Sequence, residues 1–112
     1  MKLAIIGSRG INNIDLSVYI PDDTSEIVSG GAKGVDTIAA EYAKSHGIKL
    51  VEFKPEYEKY KRGAPLKRNI IIAEYADKVI AFWDGKSRGT KFVIEYCRSK
   101  GIDIEVVTIP SI

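Results

Sequence analysis

The 112-residue chain is 45% apolar, which supports one compact domain over residues 1–112 and leaves too little for a second core. Its formal net charge of +2 argues against a protein that coats nucleic acid by charge alone. The apolar runs are shorter than the roughly 18 residues of a membrane span, and the N-terminal segment turns polar too early for a signal peptide. The single cysteine, Cys97, suits a reducing compartment. We therefore expect a cytoplasmic protein without a membrane partner.

Short apolar segments alternate with longer stretches of helical period, which is typical of strand and helix units around a parallel sheet. The third segment is interrupted by Lys49 and Glu52 and indicates an edge strand, whereas the first and fourth are apolar throughout. The sequence therefore predicts the α/β class, with a five-stranded parallel sheet in the order 3-2-1-4-5. The predicted strands are residues 3–6, 26–28, 49–53, 78–83 and 104–109.

Helices are predicted in the connections between these strands. Residues 34–47 place apolar side chains on one stripe and end at Gly47. Residues 87–101 begin with a serine suited to capping and end at Gly101. Residues 11–20 have the weakest helical pattern, and they are assigned as the helix of the first connection.

The remaining helix, residues 65–76, has a proline in its first turn and is apolar almost all round after Asn69. Such a helix packs against the sheet on one side and against something else on the other. A second copy of the chain is one candidate for that second contact, so we expect a homodimer.

Three loops are expected to meet at one edge of the sheet, because ligands of open parallel sheets bind outside the carboxyl ends of strands where the strand order reverses. These loops follow the first, second and fourth strands, contain Gly and Ser, and each carry a cation. Two of them run into helix N-termini, where backbone N–H groups attract anions. The ligand-binding residues predicted here are Gly7, Ser8, Arg9, Ser29, Gly30, Gly31, Ala32, Gly34, Asp36, Asp84, Gly85, Ser87, Gly89 and Thr90.

A basic stretch leads into the helix at residues 65–76 and adds Arg68 and Asn69 to the predicted site. Tyr57 and Tyr60 lie among its charges, and an aromatic ring beside cations is suited to a nucleobase while arginine holds the phosphate. The alternative interpretation is a solvated surface loop. The basic residues of the stretch are Lys59, Lys61, Arg62, Lys67 and Arg68.

Catalytic and metal-binding patterns are mostly missing, and neither a metal nor a cofactor is predicted. The one histidine, His46, is expected to be a partner of a helix dipole. Two carboxylates are catalytic candidates. Asp84 follows a strand directly and is either a general base or the cap of the next turn. Asp36 either contacts a ribose or a metal, or simply favours the helix dipole.

Several motifs resemble the SLOG superfamily, which contains the Smf/DprA DNA-processing proteins and the Lonely-guy phosphoribohydrolases. The segments GSR, VSGGAKGVD and RNIIIAEYAD are similar to motifs of the DprA group, and RNIIIAEYADKVIA is similar to a Lonely-guy motif. FWDGKSRGT looks like the small stand-alone YspA- and YpsA-related members. The resemblance covers nearly the whole chain. It implies a Rossmann-like three-layer fold and a pocket for a nucleotide or nucleotide-derived ligand at the predicted edge.

The resemblance also bears on catalysis. Arg68 stands where the phosphoribohydrolases keep a functional arginine. Their signature P-G-G-x-G-T-x-x-E is half present: Gly89 and Thr90 match, but Phe92 and Val93 follow two and three positions later, and the glutamate is missing. We therefore favour a sensor or carrier of a nucleotide-derived ligand. The alternatives are an N-glycosidic-bond hydrolase acting on a nucleoside monophosphate, and single-stranded DNA binding as in the DprA group.

Overall fold

The computed structural model describes residues 1–109, in which five parallel strands form one sheet in the order β3-β2-β1-β4-β5. This order and the Rossmann-like α/β class confirm the sequence prediction, and β3 lies at an edge as its charged residues indicated. The strands are β1 (Lys2–Gly7), β2 (Glu26–Ser29), β3 (Lys49–Glu52), β4 (Lys78–Trp83) and β5 (Ile104–Thr108). The helices are α1 (Val35–Ser45), α2 (Tyr57–Tyr60), α3 (Ala64–Tyr75) and α4 (Arg88–Lys100).

The two central strands carry the core because helices cover both of their faces. Leu3 and Ile5 of β1 point into one apolar cluster together with Val35 of α1. Ala4 and Ile6, the alternate residues of the same strand, point into a second cluster on the other face. This division explains why β1 reads as a continuous apolar run.

The assignment of a helix to residues 11–20 is wrong. Only a 3-10 turn forms there, at Leu16–Val18. The Asp15 carboxylate accepts hydrogen bonds from the backbone N–H of Ser17 at 3.1 Å and from its hydroxyl at 2.6 Å, which stabilises a local turn in competition with a longer helix. Leu16 is buried and attaches this connection to the core.

Helix α3 packs against β1 on one side and against α4 on another. Ile72 and Ala73 are buried, whereas Ile70 is only half-buried and Leu66 is 37% exposed. The contact with α4 accounts for part of the apolar surface that suggested a partner. The homodimer therefore stays a prediction. No helix within residues 1–109 is long and apolar enough to cross a membrane.

Candidate functional site

A cleft of about 420 Å³ opens at the carboxyl edge of the sheet, where the loops after β1, β2 and β4 and the start of α3 come together. The N-termini of α1 and α4 both lie at this edge, so the fold brings together the elements that the parallel-sheet rule predicted. The residues that line the cleft are Ile6, Gly7, Ser8, Arg9, Gly10, Ala32, Asp36, Pro65, Leu66, Arg68, Asn69, Asp84, Ser87, Gly89 and Thr90.

Ser8 ties the first loop to the fourth strand. It is 1% exposed, and its backbone N–H donates to the carbonyl of Phe82 at 3.0 Å. Its hydroxyl oxygen accepts from the backbone N–H of Asp84 at 3.2 Å. Because these bonds join the first loop to the end of β4 and to the loop after it, Ser8 holds one wall of the cleft against the other.

Two glycines are required because backbone segments approach closely under the cleft. A Cβ on Gly7 would lie 2.5 Å from Cγ2 of Val35 and 2.8 Å from the carbonyl oxygen of Phe82. Gly34 has φ +75°, and a Cβ there would lie 2.6 Å from the carbonyl oxygen of Arg9. These glycines therefore let the first and second loops pack together.

Arg68 is the central charged residue of the site, and it is only 7% exposed. Its Nη1 donates to the carbonyl of Gly30 at 2.7 Å and reaches that of Phe53 at 3.5 Å, and its Nε donates to Oδ1 of Asn69 at 2.8 Å. Burial lowers the pKa of Arg68, while the nearby Asp36 carboxylate raises it. The sequence predicts Arg68 as a ligand-binding residue, and these bonds give it a structural role as well.

The second terminal nitrogen of Arg68, Nη2, bonds no atom of residues 1–109. Within residues 1–109, Thr24 Oγ1 is the only fully buried side-chain N or O atom that lacks a hydrogen-bond partner. Nη2 also lacks a partner, so it is not fully buried. Arg68 lines the cleft, so Nη2 is the part of the guanidinium group available to a ligand. An arginine whose guanidinium is held by hydrogen bonds from two nitrogens, with the third nitrogen unbonded, is preorganised to bind an anion.

Asp36 lies in the first turn of α1 and is 8% exposed. Its Oδ2 accepts from the backbone N–H of Ala32 at 3.0 Å. Burial raises the pKa of Asp36, and the Ala32 N–H and the Arg68 charge oppose that effect. A buried carboxyl group with a raised pKa at the wall of a cleft is suited to proton transfer.

Asp84 is occupied by its own turn. Its Oδ1 accepts from the backbone N–H groups of Lys86 at 2.8 Å and of Ser87 at 2.7 Å. These bonds lower the pKa of Asp84, which favours the turn-capping interpretation over that of a general base. Ser87 in turn caps α4, with its hydroxyl oxygen 3.5 Å from the backbone nitrogen of Thr90.

Comparison with known proteins identifies the family. The sequence model of the family described as "YAcAr: YspA, cpYpsA-related SLOG family" matches residues 1–60. The chain belongs to this SLOG family. The resemblance to SLOG proteins inferred from the motifs is thereby confirmed, while the comparison with curated proteins gave no match.

A solved structure supports the fold of this SLOG domain. The X-ray structure of DNA processing protein A (DprA) from Streptococcus pneumoniae superimposes with a TM-score of 0.71 at 22% sequence identity. The match covers 94% of this chain and 49% of that chain, so the domain spans about half of the DprA length. At this identity the likeness shows a shared fold.

Some predicted residues of the SLOG domain lie outside the cleft. Gly30 and Gly31 line a neighbouring depression. Ser29 is fully buried, and its hydroxyl oxygen accepts from the N–H of Gly31 at 3.3 Å. Gly34 packs under the first loop. Gly85 has φ +82° in the turn after β4. The structure brings the other predicted residues to the cleft lining: Gly7, Ser8, Arg9, Ala32, Asp36, Arg68, Asn69, Asp84, Ser87, Gly89 and Thr90.

Four lining residues were missed by sequence reasoning, namely Ile6, Gly10, Pro65 and Leu66. Pro65 and Leu66 belong to the first turn of α3, and the sequence signal for them was their place directly before Arg68. A helix whose fifth residue reaches into a cleft also brings its first turn to the rim.

The basic stretch is mostly solvated. The Nζ atoms of Lys59 and Lys67 lie 5.2 Å and 5.8 Å from the ring centroid of Tyr60, so these cations cover that ring. Tyr57, in contrast, is 57% exposed.

His46 stacks on Tyr42 at the end of α1, with its Nδ1 3.0 Å from the Tyr42 carbonyl oxygen.

Proposed function

We propose that this SLOG domain binds a nucleotide or nucleotide-derived ligand in the cleft, as a sensor or carrier. The observation that carries the proposal is Arg68, a buried arginine of the cleft lining whose Nε and Nη1 are bonded and whose Nη2 has no partner among residues 1–109. Burying a guanidinium is costly, and Asp36 offsets only part of that cost because it forms no ion pair with Arg68 among residues 1–109. A bound anion would lower the remaining cost.

The cleft supplies enough interactions for useful affinity. A hydrogen bond to a charged group contributes roughly 1.5–3 kcal/mol net, and micromolar binding requires about 8 kcal/mol. Arg68 Nη2, the exposed Arg9 and the N–H of Gly89 at the start of α4, which the Ser87 cap does not use, together supply several such bonds. One glycine loop alone would fall short of this total.

Binding without turnover is favoured by the missing glutamate of the phosphoribohydrolase signature and by the engagement of Asp84. Val93 stands where the phosphoribohydrolase signature has its glutamate, and Asp84 is engaged by two backbone N–H groups. Of the two catalytic candidates, Asp84 is therefore the weaker base.

Direct binding measurements test this function. We expect AMP, GMP, CMP or UMP to raise the melting temperature and to give a saturable calorimetric titration, whereas the matched nucleosides do not. Arg9→Ala should weaken binding about tenfold, the equivalent of one charged hydrogen bond, because Arg9 is exposed and lines the cleft. Arg98→Ala, at the far end of α4, is the matched control and should bind normally. Absence of any shift with all four nucleotides contradicts the proposal.

A second candidate, hydrolysis of the N-glycosidic bond of a nucleoside monophosphate, is favoured by Asp36. Its carboxyl group is buried at the cleft wall with a raised pKa, as a group that donates a proton to a leaving base requires. Incubation with the four monophosphates and chromatography for free base separates the two functions. Release that is lost in Asp36→Asn supports hydrolysis, and release that survives both Asp36→Asn and Asp84→Asn excludes both carboxylates.

Single-stranded DNA is a further arm of the test, since the structural relative is named a DNA processing protein. The net charge of +2 argues against tight binding of long polyanions. A strongly salt-dependent mobility shift with an oligonucleotide, in the absence of any response to mononucleotides, would transfer the proposal to DNA.

A further inference from the structure

A second depression of about 500 Å³ adjoins the cleft on the side of the second loop. It shares Arg9, Ala32 and Arg68 with the cleft, so the two depressions adjoin at these residues. We call it the basic trough. Its lining residues are Arg9, Gly30, Gly31, Ala32, Lys33, Lys54, Pro55, Tyr57 and Arg68.

The trough is strongly cationic. It is lined by Arg9, Lys33, Lys54 and Arg68, and none of the ion pairs formed by residues 1–109 involves any of them. One carboxylate, that of Glu52, lies close to Gly31 and Lys54 of the trough. A Cβ built on Gly31 would lie 3.3 Å from Oε2 of Glu52 and 3.8 Å from Cε of Lys54. Four cations therefore outnumber the nearby carboxylates of Glu52 and Asp36, and a bound anion would lower their mutual repulsion.

Tyr57 forms an aromatic wall of the trough and is 57% exposed. Within residues 1–109 its ring packs on no other aromatic side chain, whereas Tyr42 stacks on His46, and Tyr19 and Tyr75 each pack edge-to-face with a phenylalanine. An exposed aromatic ring beside unpaired cations is a platform for a planar group such as a base.

We infer that the basic trough is a second anionic subsite for the same ligand, so that the ligand is a pyrophosphate-containing nucleotide of the nucleoside diphosphate or dinucleotide type. The inference rests on the proposed nucleotide function. One phosphate lies in the cleft and the next in the trough, and the guanidinium of Arg68 lies between them. Two phosphates joined by a single oxygen can share one guanidinium group, whereas those of an oligonucleotide are separated by a whole sugar.

Calorimetric titration of each nucleoside monophosphate and diphosphate pair tests the subsite, with the 5′-phosphorylated dinucleotide pTpT as the nucleic-acid probe. For the base that binds best, we expect the diphosphate to bind about tenfold tighter, since one charged hydrogen bond is added. In the double variant Lys33→Ala, Lys54→Ala this ratio should fall to about one. Lys44→Ala, Lys100→Ala removes the same charge from exposed positions outside the trough and should keep the wild-type ratio.

The outcomes separate the two proposals. If no mononucleotide binds, the proposed function fails and the subsite with it. If monophosphate binds and diphosphate binds no tighter, only the subsite is overturned. A preference for pTpT over the diphosphate also overturns it, in favour of nucleic acid. The wild-type comparison requires no variant, so a folding defect in the double variant leaves the test intact.

Discussion

Arg68 and Gly30 form a pair whose energetic coupling can be worked out from the structure. A Cβ on Gly30 would lie 2.6 Å from Cζ of Arg68 and closer still to its Nη1. The backbone of Gly30 is outside the left-handed region, so alanine is tolerated by the main chain itself. The cost of Gly30→Ala therefore comes from displacing a guanidinium that the Gly30 carbonyl and Asn69 hold in position.

The expected magnitudes follow from these contacts. Arg68→Ala removes a charge-assisted bond of 2.7 Å, worth about 1.5–3 kcal/mol, and relieves part of the cost of burying the charge. We expect a net loss of about 2 kcal/mol, or about 8 °C in melting temperature for a domain of this size. Gly30→Ala should cost about 2 kcal/mol by overpacking. In the Arg68→Ala background the space is vacant, and the second substitution should cost almost nothing.

Urea denaturation of the four proteins, followed by circular dichroism, measures this cycle. The double variant should lose about 2 kcal/mol rather than the roughly 4 kcal/mol that additivity requires. Gly10→Ala is the control, because a Cβ there meets nothing within 4 Å, and it should leave stability unchanged. Additive losses within error would refute the contact between Arg68 and Gly30, and with it the argument for a preorganised arginine.

Further predictions concern the loops, the buried carboxyl and the oligomer. Gly34→Ala should cost about 3 kcal/mol in urea denaturation because of its φ of +75° and the nearby Arg9 carbonyl, whereas Ser8→Ala should cost about 1 kcal/mol by removing one buried acceptor. Burial raises the pKa of Asp36, so the folded carboxyl binds its proton more readily, and stability falls as pH rises from the unfolded value of 3.8 through the raised folded value. Asp36→Asn should therefore melt higher than the wild type at pH 7 and lose that advantage below pH 3.8. Light scattering at micromolar concentration should give a dimer that Leu66→Glu dissociates, and a monomeric wild type would contradict the role of α3.

The sheet order was predictable because its determinants are local. Charged residues in β3 indicate an edge, and uninterrupted apolar residues in β1 and β4 indicate burial on both faces. Once the order is known, the rule that parallel strands end at a common edge brings the loops together without knowledge of any side chain. The predicted helix in the first connection does not form because the Asp15 side chain competes for backbone N–H groups. The periodicity of apolar residues contains no information on that competition.

The roles of individual site residues were less accessible, because they depend on contacts between distant segments. The glycine-rich loop predicts that Gly30 binds the ligand, yet its lack of a side chain also makes room for an arginine 38 positions away. From the sequence, Asp36 and Asp84 are both catalytic candidates at the carboxyl edge of the sheet. Burial raises the pKa of Asp36 and two backbone N–H bonds lower that of Asp84, and both effects require three-dimensional information.

Because Arg68 has a structural role beside its proposed role in binding, we expect ligand binding and stability to be linked in this domain. The guanidinium fixes the second loop and the end of β3 through the carbonyls of Gly30 and Phe53, and its burial opposes its own charge. An anion at Nη2 would offset that burial cost and reinforce the same bonds, so it should stabilise the loop as well as occupy the cleft. Stabilisation by a ligand grows as RT ln(1 + [L]/Kd), which gives about 2.7 kcal/mol at a hundredfold excess over Kd. Amide exchange at Gly30 and Gly31 should therefore slow with the bound nucleotide by more than exchange at Gly47, which is remote from the site. Equal protection at all three positions would mean that the ligand acts on global stability alone, without Arg68 as the link.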